Sequence, residues 1–281
     1  MSVLIVGGSG SFGTAFARRC LDDGVGRVCI FSRNEHRQAD MRQEFGNDPR
    51  LRFFIGDVRD QSRLRRAMEG IDLVVLAAAL KRIEVGTYCA DEMVKTNIYG
   101  AMNVIDAAHD SGVQKVVALS TDKAWRGGIS PYGHTKALME SIVIQANEMR
   151  SGTRYAAVRY GNIWKSNGSI VPTWLKLIKA GAKEVPVRDP DCTRFFMRLS
   201  EAVSLVSDTL KSMRGGELVI PETLPAYRVA DLAEAMCVKM KVLGLPAWER
   251  KHEGMRDGLT SDIVRRLTVN ELREYIHDET N

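Results

Sequence analysis

Tyr132 and Lys136 are a pair of side chains whose types and spacing allow chemistry. Residues four apart share one face of a helix, so the phenol and the ammonium are predicted to lie together. An ammonium beside a phenol lowers the pKa of the phenol, which can then take a proton from a hydroxyl as hydride leaves the carbon. This is alcohol oxidation. The spacing is common by chance, but here it follows the fifth predicted strand and a glycine-rich first turn.

A second reactive run, residues 120–123, ends that fifth strand and contains Thr121, Asp122 and Lys123. Its ordinary interpretation is a loop in which Asp122 caps a turn and Lys123 faces water, because Asp is common in turns. Beside Tyr132, however, the run brings groups with complementary acid–base roles to one edge of the predicted sheet. The combination favours a catalytic site.

A glycine-rich loop follows the first predicted strand, with glycines in a GxxGxxG spacing. Such glycines permit a tight turn and let a pyrophosphate approach a helix N-terminus, whose free N–H groups and dipole favour anions. A plain strand-to-helix turn is the alternative, but the position at the start of a βαβ unit predicts dinucleotide binding. The predicted contacts are Gly7, Ser9, Gly10, Ser11, Phe12 and Gly13.

The end of the second predicted strand bears on the choice between NAD and NADP. An NAD-selective site places an acid here for the ribose 2′-hydroxyl, whereas this chain has Ser32 and Arg33. Because a guanidinium suits a 2′-phosphate, NADP is favoured over NAD, although Arg33 could instead be an ordinary solvated residue. Asp57, next to Val58, is placed to contact the adenine. The nicotinamide side of the cleft is predicted to be lined by Ala77, Ala78 and Ala79.

A parallel sheet is needed to bring these groups together. Short apolar runs rich in β-branched residues alternate with helical patterns up to about residue 160, and each run is typical of a buried parallel strand. The fold class is therefore α/β, a Rossmann-like doubly wound parallel sheet. The predicted strands are 3–6, 27–32, 51–55, 73–77, 115–120 and 155–160, and the predicted helices are 12–23, 63–68, 93–111 and 132–149.

After Gly161 the pattern changes to a polar loop and helices near 170–180, 201–211 and 229–241. We predict an NADP-binding domain over 1–160 and a smaller C-terminal substrate-binding lobe over 161–281, with chain exchange between the two possible. The lobe would cover the carboxyl edge of the sheet, where such folds bind ligands. The charged segment 248–281 is predicted to dock through its apolar residues, which are Leu259, Ile263, Leu267, Leu272 and Ile276.

Composition narrows the classes of protein. The 281 residues carry a net charge of +5 with acids and bases dispersed, and no recognition module is visible, so nucleic acid is not an expected partner. No run of eighteen apolar residues is present and the first strand begins near Met1, so we expect a cytoplasmic protein without a membrane span. Five scattered cysteines without metal-ligand spacing predict reduced thiols and no metal site.

A series of short motifs over about residues 2–200 matches one known family. The chain resembles the inverting UDP-N-acetylglucosamine 4,6-dehydratases, in the polysaccharide-biosynthesis branch of the extended short-chain dehydrogenases/reductases. Tyr132 resembles the residue of the inverting group at this position, because the retaining membrane-bound relatives have methionine there. The matching motifs are 7–13 with 32–33, 53–60, 77–81, 96–97, 119–123, 132–136, 159–162, 168–169 and 193–195.

The resemblance implies a reaction without net redox change. Tyr132 would take the proton of the sugar 4-hydroxyl, Lys123 would act as the base at C5, and Asp122 would protonate the departing C6 hydroxyl. NADP would accept hydride from C4 and return it to C6, with inversion at C5. A neutral Lys123 requires a lowered pKa, which burial and nearby cations should provide. The implied catalytic residues are Thr121, Asp122, Lys123, Tyr132 and Lys136, and Lys81 and Asn97 join the cofactor contacts.

Substrate contacts are predicted on the lobe side of the cleft. Arg188 and Arg194 would bind the diphosphate of a UDP-linked sugar, and Asn162 and Ser169 the sugar itself; Lys81 is a further substrate contact. Surface solvation and helix capping are the alternatives for these residues. The family pattern is broken at residues 164–167, at 82–84 and near the C-terminus, where only Lys251, His252 and Glu253 match the family's nucleotide-contacting run. Rearranged sugar or phosphate contacts are therefore expected.

Other functions remain open at this point. A nucleotide-sugar 4-epimerase or 5,6-dehydratase would share the first oxidation step, and an epimerase would need no base at the Lys123 position. A non-catalytic NADP-binding regulator would not need Tyr132 and Lys136. We also expect a homo-oligomer, a dimer or larger, formed through the helices predicted over 93–111 and 132–149.

Overall fold

The computed structural model describes residues 1–149 and 152–278, and its strands vary from two to seven residues in length. In chain order they are β1 (Ser2–Val6), β2 (Arg27–Ser32), β3 (Leu51–Ile55), β4 (Leu73–Leu76), β5 (Lys115–Thr121), β6 (Arg154–Tyr160), β7 (Glu184–Val187), β8 (Thr193–Phe195), β9 (Leu218–Val219), β10 (Ala226–Arg228), β11 (Lys239–Val242), β12 (Gly254–Arg256) and β13 (Leu259–Thr260).

Seven of these strands form one parallel sheet in the order β3-β2-β1-β4-β5-β6-β9. The winding reverses between β1 and β4, and a crevice at such a switch point is where open α/β sheets bind ligands. Val6 pairs with Phe31 on one side and Leu76 on the other, so the carboxyl ends of these three strands are level. The predicted doubly wound α/β sheet is confirmed.

Helices cover both faces of the sheet. Because side chains alternate along a strand, Ile5 of β1 joins one apolar cluster and Leu4 the other. In chain order the helices are α1 (Ser11–Asp22), α2 (Glu35–Glu44), α3 (Gln61–Met68), α4 (Ile83–Gly86), α5 (Ala90–Met93), α6 (Gly100–Asp110), α7 (Pro131–Gln145), α8 (Ile170–Lys179), α9 (Leu199–Ser212), α10 (Val229–Ala235) and α11 (Val269–His277). Helices α1 and α9 pack on the Ile5 side, and α3, α6 and α7 on the Leu4 side.

The six predicted strands lie within one residue of β1 to β6. Helix α2 was missed because its ten residues bury only Gln38 and Met41 and so show no apolar stripe. The predicted helix 93–111 is a π-helical turn, Val94–Tyr99, followed by α6. The predicted helix 229–241 is wrong beyond Ala235, where Cys237 has a positive φ and β11 follows.

Residues after Gly161 divide between the sheet and a smaller layer. Helix α9 and strand β9 return to the main sheet. The remaining elements build a third apolar cluster around Trp164, Trp174 and Tyr227 with three two-stranded sheets. The C-terminal segment packs through Leu267 and Leu272, as predicted for 248–278, but the predicted anchor Ile263 is 63% exposed. The predicted segment's last residues, 279–281, lie outside the described ones.

Across residues 1–149 and 152–278, no helix has both the length and the apolar character needed to cross a membrane.

Candidate active site

A cavity of about 680 Å³ opens at the carboxyl ends of β1, β2, β4, β5 and β6 and extends under the smaller layer. It brings together almost all of the predicted site residues. The predicted residues that line it are Gly7, Ser9, Gly10, Ser11, Phe12, Gly13, Ser32, Arg33, Asp57, Val58, Ala77, Ala78, Ala79, Lys81, Thr121, Lys123, Tyr132, Lys136, Asn162, Ser169, Arg188 and Arg194. Two predicted residues, Asn97 and Asp122, are not among the lining residues.

The glycine loop fits a pyrophosphate group. Gly7 has φ of +86°, and a Cβ atom there would lie 2.6 Å from the backbone nitrogen of Ala78, so only glycine lets these two loops meet. Helix α1 begins after Gly10 without a side-chain cap. Its first N–H groups therefore have no capping side chain and face the cavity wall, as a phosphate cradle requires.

Replacing Gly7 with Ala is expected to weaken dinucleotide binding and to lower the melting temperature. The left-handed conformation costs a non-glycine residue about 1–2 kcal/mol, and the clash with the Ala78 backbone adds to it. Gly24→Ala is a matched control, because Gly24 has φ of +78° but no heavy atom within 4 Å of its added Cβ. Calorimetric titration with NADP should show lost affinity in Gly7→Ala alone; equal affinity losses in both variants would contradict the cradle.

At the predicted adenosine end of the cavity, Ser32 and Asp57 make contacts within the protein that were not expected. The Ser32 hydroxyl accepts hydrogen bonds from Ser9 Oγ and Gln38 Nε2, both at 2.9 Å. The Asp57 carboxylate, expected at the adenine, binds the Arg59 guanidinium at 2.7 Å. Arg33 is more than half exposed and forms a long ion pair with Asp57, at 3.8 Å. Sequence reasoning missed Arg37, which also lines this end and which only its position in α2, three residues after the cap at Asn34, could have indicated.

Asn97 acts on the loop rather than on the cavity. Its side chain accepts from the backbone N–H of Leu80 at 2.8 Å and donates to the Leu80 carbonyl at 3.0 Å and to Thr135 Oγ1 at 3.0 Å. It therefore fixes the segment that carries Ala79 and Lys81 against α7. The direct cofactor contact expected of Asn97 stays a prediction beside this positioning role.

The reactive residues after β5 form one hydrogen-bonded group. Thr121 Oγ1 donates to Asp122 Oδ1 at 2.8 Å, and Lys123 Nζ lies 3.1 Å from the same oxygen and 3.1 Å from Asn162 Oδ1. Asp122 is fully buried, and its other oxygen has no partner among the described residues. Since Asp122 does not line the cavity, Thr121 and Lys123 stand between it and any ligand.

Lys123 does not have the lowered pKa that was expected. Burial acts to lower the pKa of this amine, but the carboxylates of Asp122 and Glu253 outweigh burial and hold the pKa above its ordinary value. Glu253 Oε1 lies 3.5 Å from Lys123 Nζ. Nearby cations were expected to dominate, and the expectation is wrong because two carboxylates are closer.

The predicted effect of Lys136 on the Tyr132 phenol is also wrong. Lys136 Nζ donates to the Leu119 carbonyl at 2.5 Å and contacts Met139 Sδ at 3.0 Å, and burial lowers the pKa of Lys136 to about 8. Burial raises the pKa of Tyr132 to about 12, and the cation that opposes this is Lys123. In the protein alone, Lys123 rather than Lys136 is the charge that favours the phenolate.

A buried ion pair stabilises α7, the helix that carries Tyr132 and Lys136. Glu140, one turn after Lys136, binds Arg159 at 2.5 Å and accepts from Ser120 Oγ. Arg159 also donates to the Met255 carbonyl at 2.5 Å. The pair joins α7 to β5, β6 and β12, so it fixes the backbone on which Tyr132 and Lys136 stand.

The predicted substrate residues fall into two groups. Arg194 is buried and binds Glu249 at 2.7 Å, with Arg188 at 3.7 Å from the same carboxylate, so both cations meet an acid that sequence reasoning missed. Asn162 is held by Lys123. Ser169 precedes α8, yet its hydroxyl makes no cap bond and has no partner among the described residues. The residue lines the cavity, and its hydroxyl oxygen is buried there.

The departure at residues 164–167 has a structural cause. Trp164 Nε1 donates to the Tyr275 carbonyl at 3.2 Å, and its ring packs against Phe196 and Tyr227. Lys165 Nζ donates to the Asp278 carbonyl. These side chains anchor α11. The expected rearrangement of sugar or phosphate contacts stays a prediction.

Comparison with known proteins agrees with the sequence resemblance. The family described as "Polysaccharide biosynthesis protein" matches residues 3–264. The chain is 42% identical over 259 residues to the UDP-N-acetylglucosamine 4,6-dehydratase (inverting) of Campylobacter jejuni subsp. jejuni serotype O:2, a match covering 90% of this chain and 77% of that protein. It is 40% identical over 241 residues to the UDP-glucose 4-epimerase of Rickettsia canadensis, covering 84% and 70%.

A solved structure extends the comparison to the full length of the fold. The crystal structure of Pen from Bacillus thuringiensis superposes with a TM-score of 0.92 at 31% identity, covering 98% of this chain and 97% of that one. The glycine loop, the residue 121–123 group and the Tyr132–Lys136 pair thus lie in a fold that this chain shares with Pen. The chain belongs to the polysaccharide biosynthesis protein family, and it is similar there to the inverting UDP-N-acetylglucosamine 4,6-dehydratases.

Proposed function

We propose that this protein is a 4,6-dehydratase acting on UDP-N-acetylglucosamine or a close relative, with a tightly bound nicotinamide dinucleotide. One observation carries the proposal: the Tyr132 phenol and the Lys123 amine both line one cavity, and an acid, Asp122, lies hydrogen-bonded directly behind them. An alcohol oxidation needs only the first of these groups. Water elimination needs a second base and an acid, which the residue 122–123 pair supplies.

The cavity fits the dinucleotide. Gly7, Gly10 and the start of α1 would hold the pyrophosphate, and Arg33 with Arg37 would meet a 2′-phosphate. Ala77 and Ala78 offer a flat, apolar wall for the nicotinamide. When bound, the nicotinamide would accept hydride from C4 of the sugar and return it to C6.

The side chains divide the proton transfers among themselves. Tyr132 takes the proton of the 4-hydroxyl, and the new ketone acidifies the neighbouring C5–H bond. The Lys123 ammonium would first pass a proton to Asp122 Oδ1, 3.1 Å away, and the neutral amine, which reaches the cavity, then takes the C5 proton. Because Asp122 is buried behind Thr121, its proton reaches the departing C6 hydroxyl through the Thr121 hydroxyl, 2.8 Å away. Reprotonation of C5 from the opposite face would give the inverted sugar.

Arg188, Arg194 and Ser169 form the substrate side of the proposal. The two guanidiniums would bind the diphosphate. Arg188, whose side chain is 41% exposed, would then give up part of its ion pair with Glu249. Ser169 Oγ would find its missing partner on the sugar. We also propose that 161–198 and 226–278 form the substrate lobe, since residues 199–219 pack on the main sheet.

A 4-epimerase is the second candidate, favoured by the 40% identity to a Rickettsia UDP-glucose 4-epimerase. An epimerase shares the Tyr132 step and returns hydride to C4. It needs no base at C5, so it gives no reason for Lys123 to face the cavity. Lys123 therefore discriminates between the two candidates.

The test is incubation with UDP-N-acetylglucosamine in deuterated water without added reductant. A 4,6-dehydratase gives a product lighter by one water, with a new C6 methyl signal, deuterium at C5 and inverted C5 geometry. A 5,6-dehydratase also removes one water, but its product carries no deuterium at C5 and shows alkene protons in place of the methyl. An epimerase leaves the mass unchanged, and unchanged substrate despite bound dinucleotide would support a non-catalytic binding protein.

Arg33→Ala is expected to weaken NADP binding while leaving NAD binding nearly unchanged. A charge-assisted hydrogen bond contributes about 1.5–3 kcal/mol, which corresponds to a rise of about 10–150-fold in the Kd for NADP. NAD, which lacks the 2′-phosphate, is the internal control in the same calorimetric titration. If both cofactors lose affinity equally, Arg33 does not read the phosphate.

The protein is further proposed to form a homo-oligomer through α6, α7 and the π-helical turn between α5 and α6. These elements expose the side chains of Tyr99, Met102 and Leu138 on one side of the molecule. Several exposed apolar side chains on one side form a patch typical of protein–protein contacts, whereas scattered single ones need no explanation. Light scattering should give a mass of at least two chains, and Met102→Glu combined with Leu138→Glu should reduce it. A wild-type mass of one chain would contradict the proposal.

A further inference from the structure

Glu253 is a buried carboxylate that no step of the proposed reaction uses. It is 2% exposed, and it does not line the cavity. Its nearest described charge is the Lys123 ammonium, 3.5 Å from Oε1, across 130 residues of sequence. A carboxylate loses much of its hydration when buried, so its presence beside one amine requires a reason.

The backbone holds Glu253 firmly in this place. Its N–H donates to Ser261 Oγ at 2.9 Å, and the Ser261 N–H donates to the Glu253 carbonyl at 2.8 Å. Gly254 lies so close to the Trp125 ring that any side chain would collide with it. Because Trp125 follows Lys123 by two residues, β12 and the catalytic segment are packed as one unit.

Three oxygens lie close to the Lys123 amine. Asp122 Oδ1 and Asn162 Oδ1 accept at 3.1 Å, and Glu253 Oε1 lies at 3.5 Å. Asn162 carries no charge and Asp122 also accepts from Thr121, whereas the ion pair described for Glu253 is the one with Lys123. Two carboxylates on one ammonium fix Nζ in position and oppose loss of its proton.

We propose that Glu253 is a positioning residue of the reaction, which fixes the Lys123 amine at the cavity wall and sets how tightly that amine holds its proton. The inference rests on the proposed function, in which Lys123 is the base at C5. A carboxylate beside the amine stabilises the ammonium that forms when the C5 proton is taken, so it makes Lys123 a stronger base once neutral. Glu253 never needs to touch the substrate.

Other charges also face these two groups, and they define the expected response to pH. Removing the Glu253 carboxylate takes away one of the two anions that raise the pKa of Lys123, so the amine should lose its proton at lower pH. Burial raises the pKa of Glu253 itself, and Lys123 opposes this. The groups that face the pair are Asp122, Lys81, Tyr132, Arg194, Tyr227 and Arg250.

The test compares wild type with Glu253→Gln, full-length and with NADP present. Only the neutral amine reacts with acetic anhydride, so acetylation of Lys123, followed by peptide mass spectrometry across a pH series, reports the pH at which the amine loses its proton. We expect that midpoint to fall by about 1–3 pH units in Glu253→Gln. Asp257→Asn is the matched control, because Asp257 lies on the same segment but pairs with the exposed Arg126 outside the cavity, and its midpoint should equal that of wild type.

A second readout connects the amine to the reaction. Deuterium uptake at C5 should begin at lower pH in Glu253→Gln, whereas reduction of the nicotinamide at the C4 step should stay within about threefold of wild type, well below the loss expected for a missing acid–base group. An unchanged acetylation midpoint overturns the proposal. If Glu253→Gln fails to fold, Glu253→Asp, which withdraws the carboxylate, decides: its midpoint should fall, and a wild-type midpoint overturns the inference.

The two hypotheses fail separately. Acetylation needs no substrate, so it still decides the role of Glu253 if no nucleotide sugar is converted. Loss of turnover by wild type would count against the proposed function alone.

Discussion

Replacing Tyr132 with Phe is expected to stop the reaction at its first step. The variant keeps the ring that packs at the cavity wall but loses the hydroxyl that takes the proton of the 4-hydroxyl. A positioned acid–base group contributes about 10²- to 10⁴-fold, so kcat should fall by that factor while KM changes little. Single-turnover absorbance of the reduced nicotinamide measures the step directly, because no hydride leaves C4 unless the proton leaves too.

Tyr155→Phe is the matched control for this prediction. Tyr155 is an equally buried phenol on β6, and its hydroxyl donates to the Ile105 carbonyl at 3.3 Å on the face of the sheet packed against α6. Losing that bond should lower the free energy of unfolding by about 1 kcal/mol and leave kcat unchanged. A Tyr132→Phe enzyme that still reduces the nicotinamide at the wild-type rate would remove Tyr132 from the mechanism.

The sheet was predictable because its signal is local. All six strands but the edge strand β3 are buried on both faces and appear as continuous apolar runs, and β1 to β6 were placed within one residue. Helix α2 has no such signal, since it buries two of its ten residues and rests on the sheet edge. Strand β9 has two residues, too few to distinguish from a loop.

The site residues were predictable as types and less so as environments. The motif around Lys123 identified the amine, but its partner Glu253 lies just before β12, 130 residues later, and no local pattern connects the two. The same holds for Glu249 beside Arg194. Predicting the pKa of Lys123 from the cations nearby in sequence gave the wrong direction, because proximity in space, which sequence does not show, decides the sign.

Polar pairs in this protein also connect the smaller layer to the chemistry. Glu253 reaches Lys123, Arg159 reaches the Met255 carbonyl, and Asn162 links the loop after β6 to the same amine. Arg194, a proposed substrate contact, is linked to the Lys123 amine through Thr193, Ser261 and Glu253. A substitution in the smaller layer should therefore alter the position of Lys123 more than that of Tyr132, which lies on α7.

Replacing Lys123 is expected to separate dehydration from oxidation. Lys123→Met removes the amine, so the C4 step should proceed while deuterium uptake at C5 and loss of water fall by about 10²- to 10⁴-fold. The enzyme should then accumulate reduced nicotinamide and a 4-keto sugar. A 4-epimerase would behave otherwise, since returning hydride to C4 requires no base at C5.

Lys123→Met removes both the base and a positive charge, and these two effects must be distinguished. Without the cation, Asp122 and Glu253 face each other, and breaking a buried pair costs about 3–5 kcal/mol. Lys123→Arg keeps the positive charge between the two carboxylates but cannot give up its proton. Both variants should therefore lose C5 exchange, whereas only Lys123→Met should lose several degrees of melting temperature. C5 exchange that persists at the wild-type rate in Lys123→Arg would show that another group is the base, and epimerised product from either variant would favour the 4-epimerase.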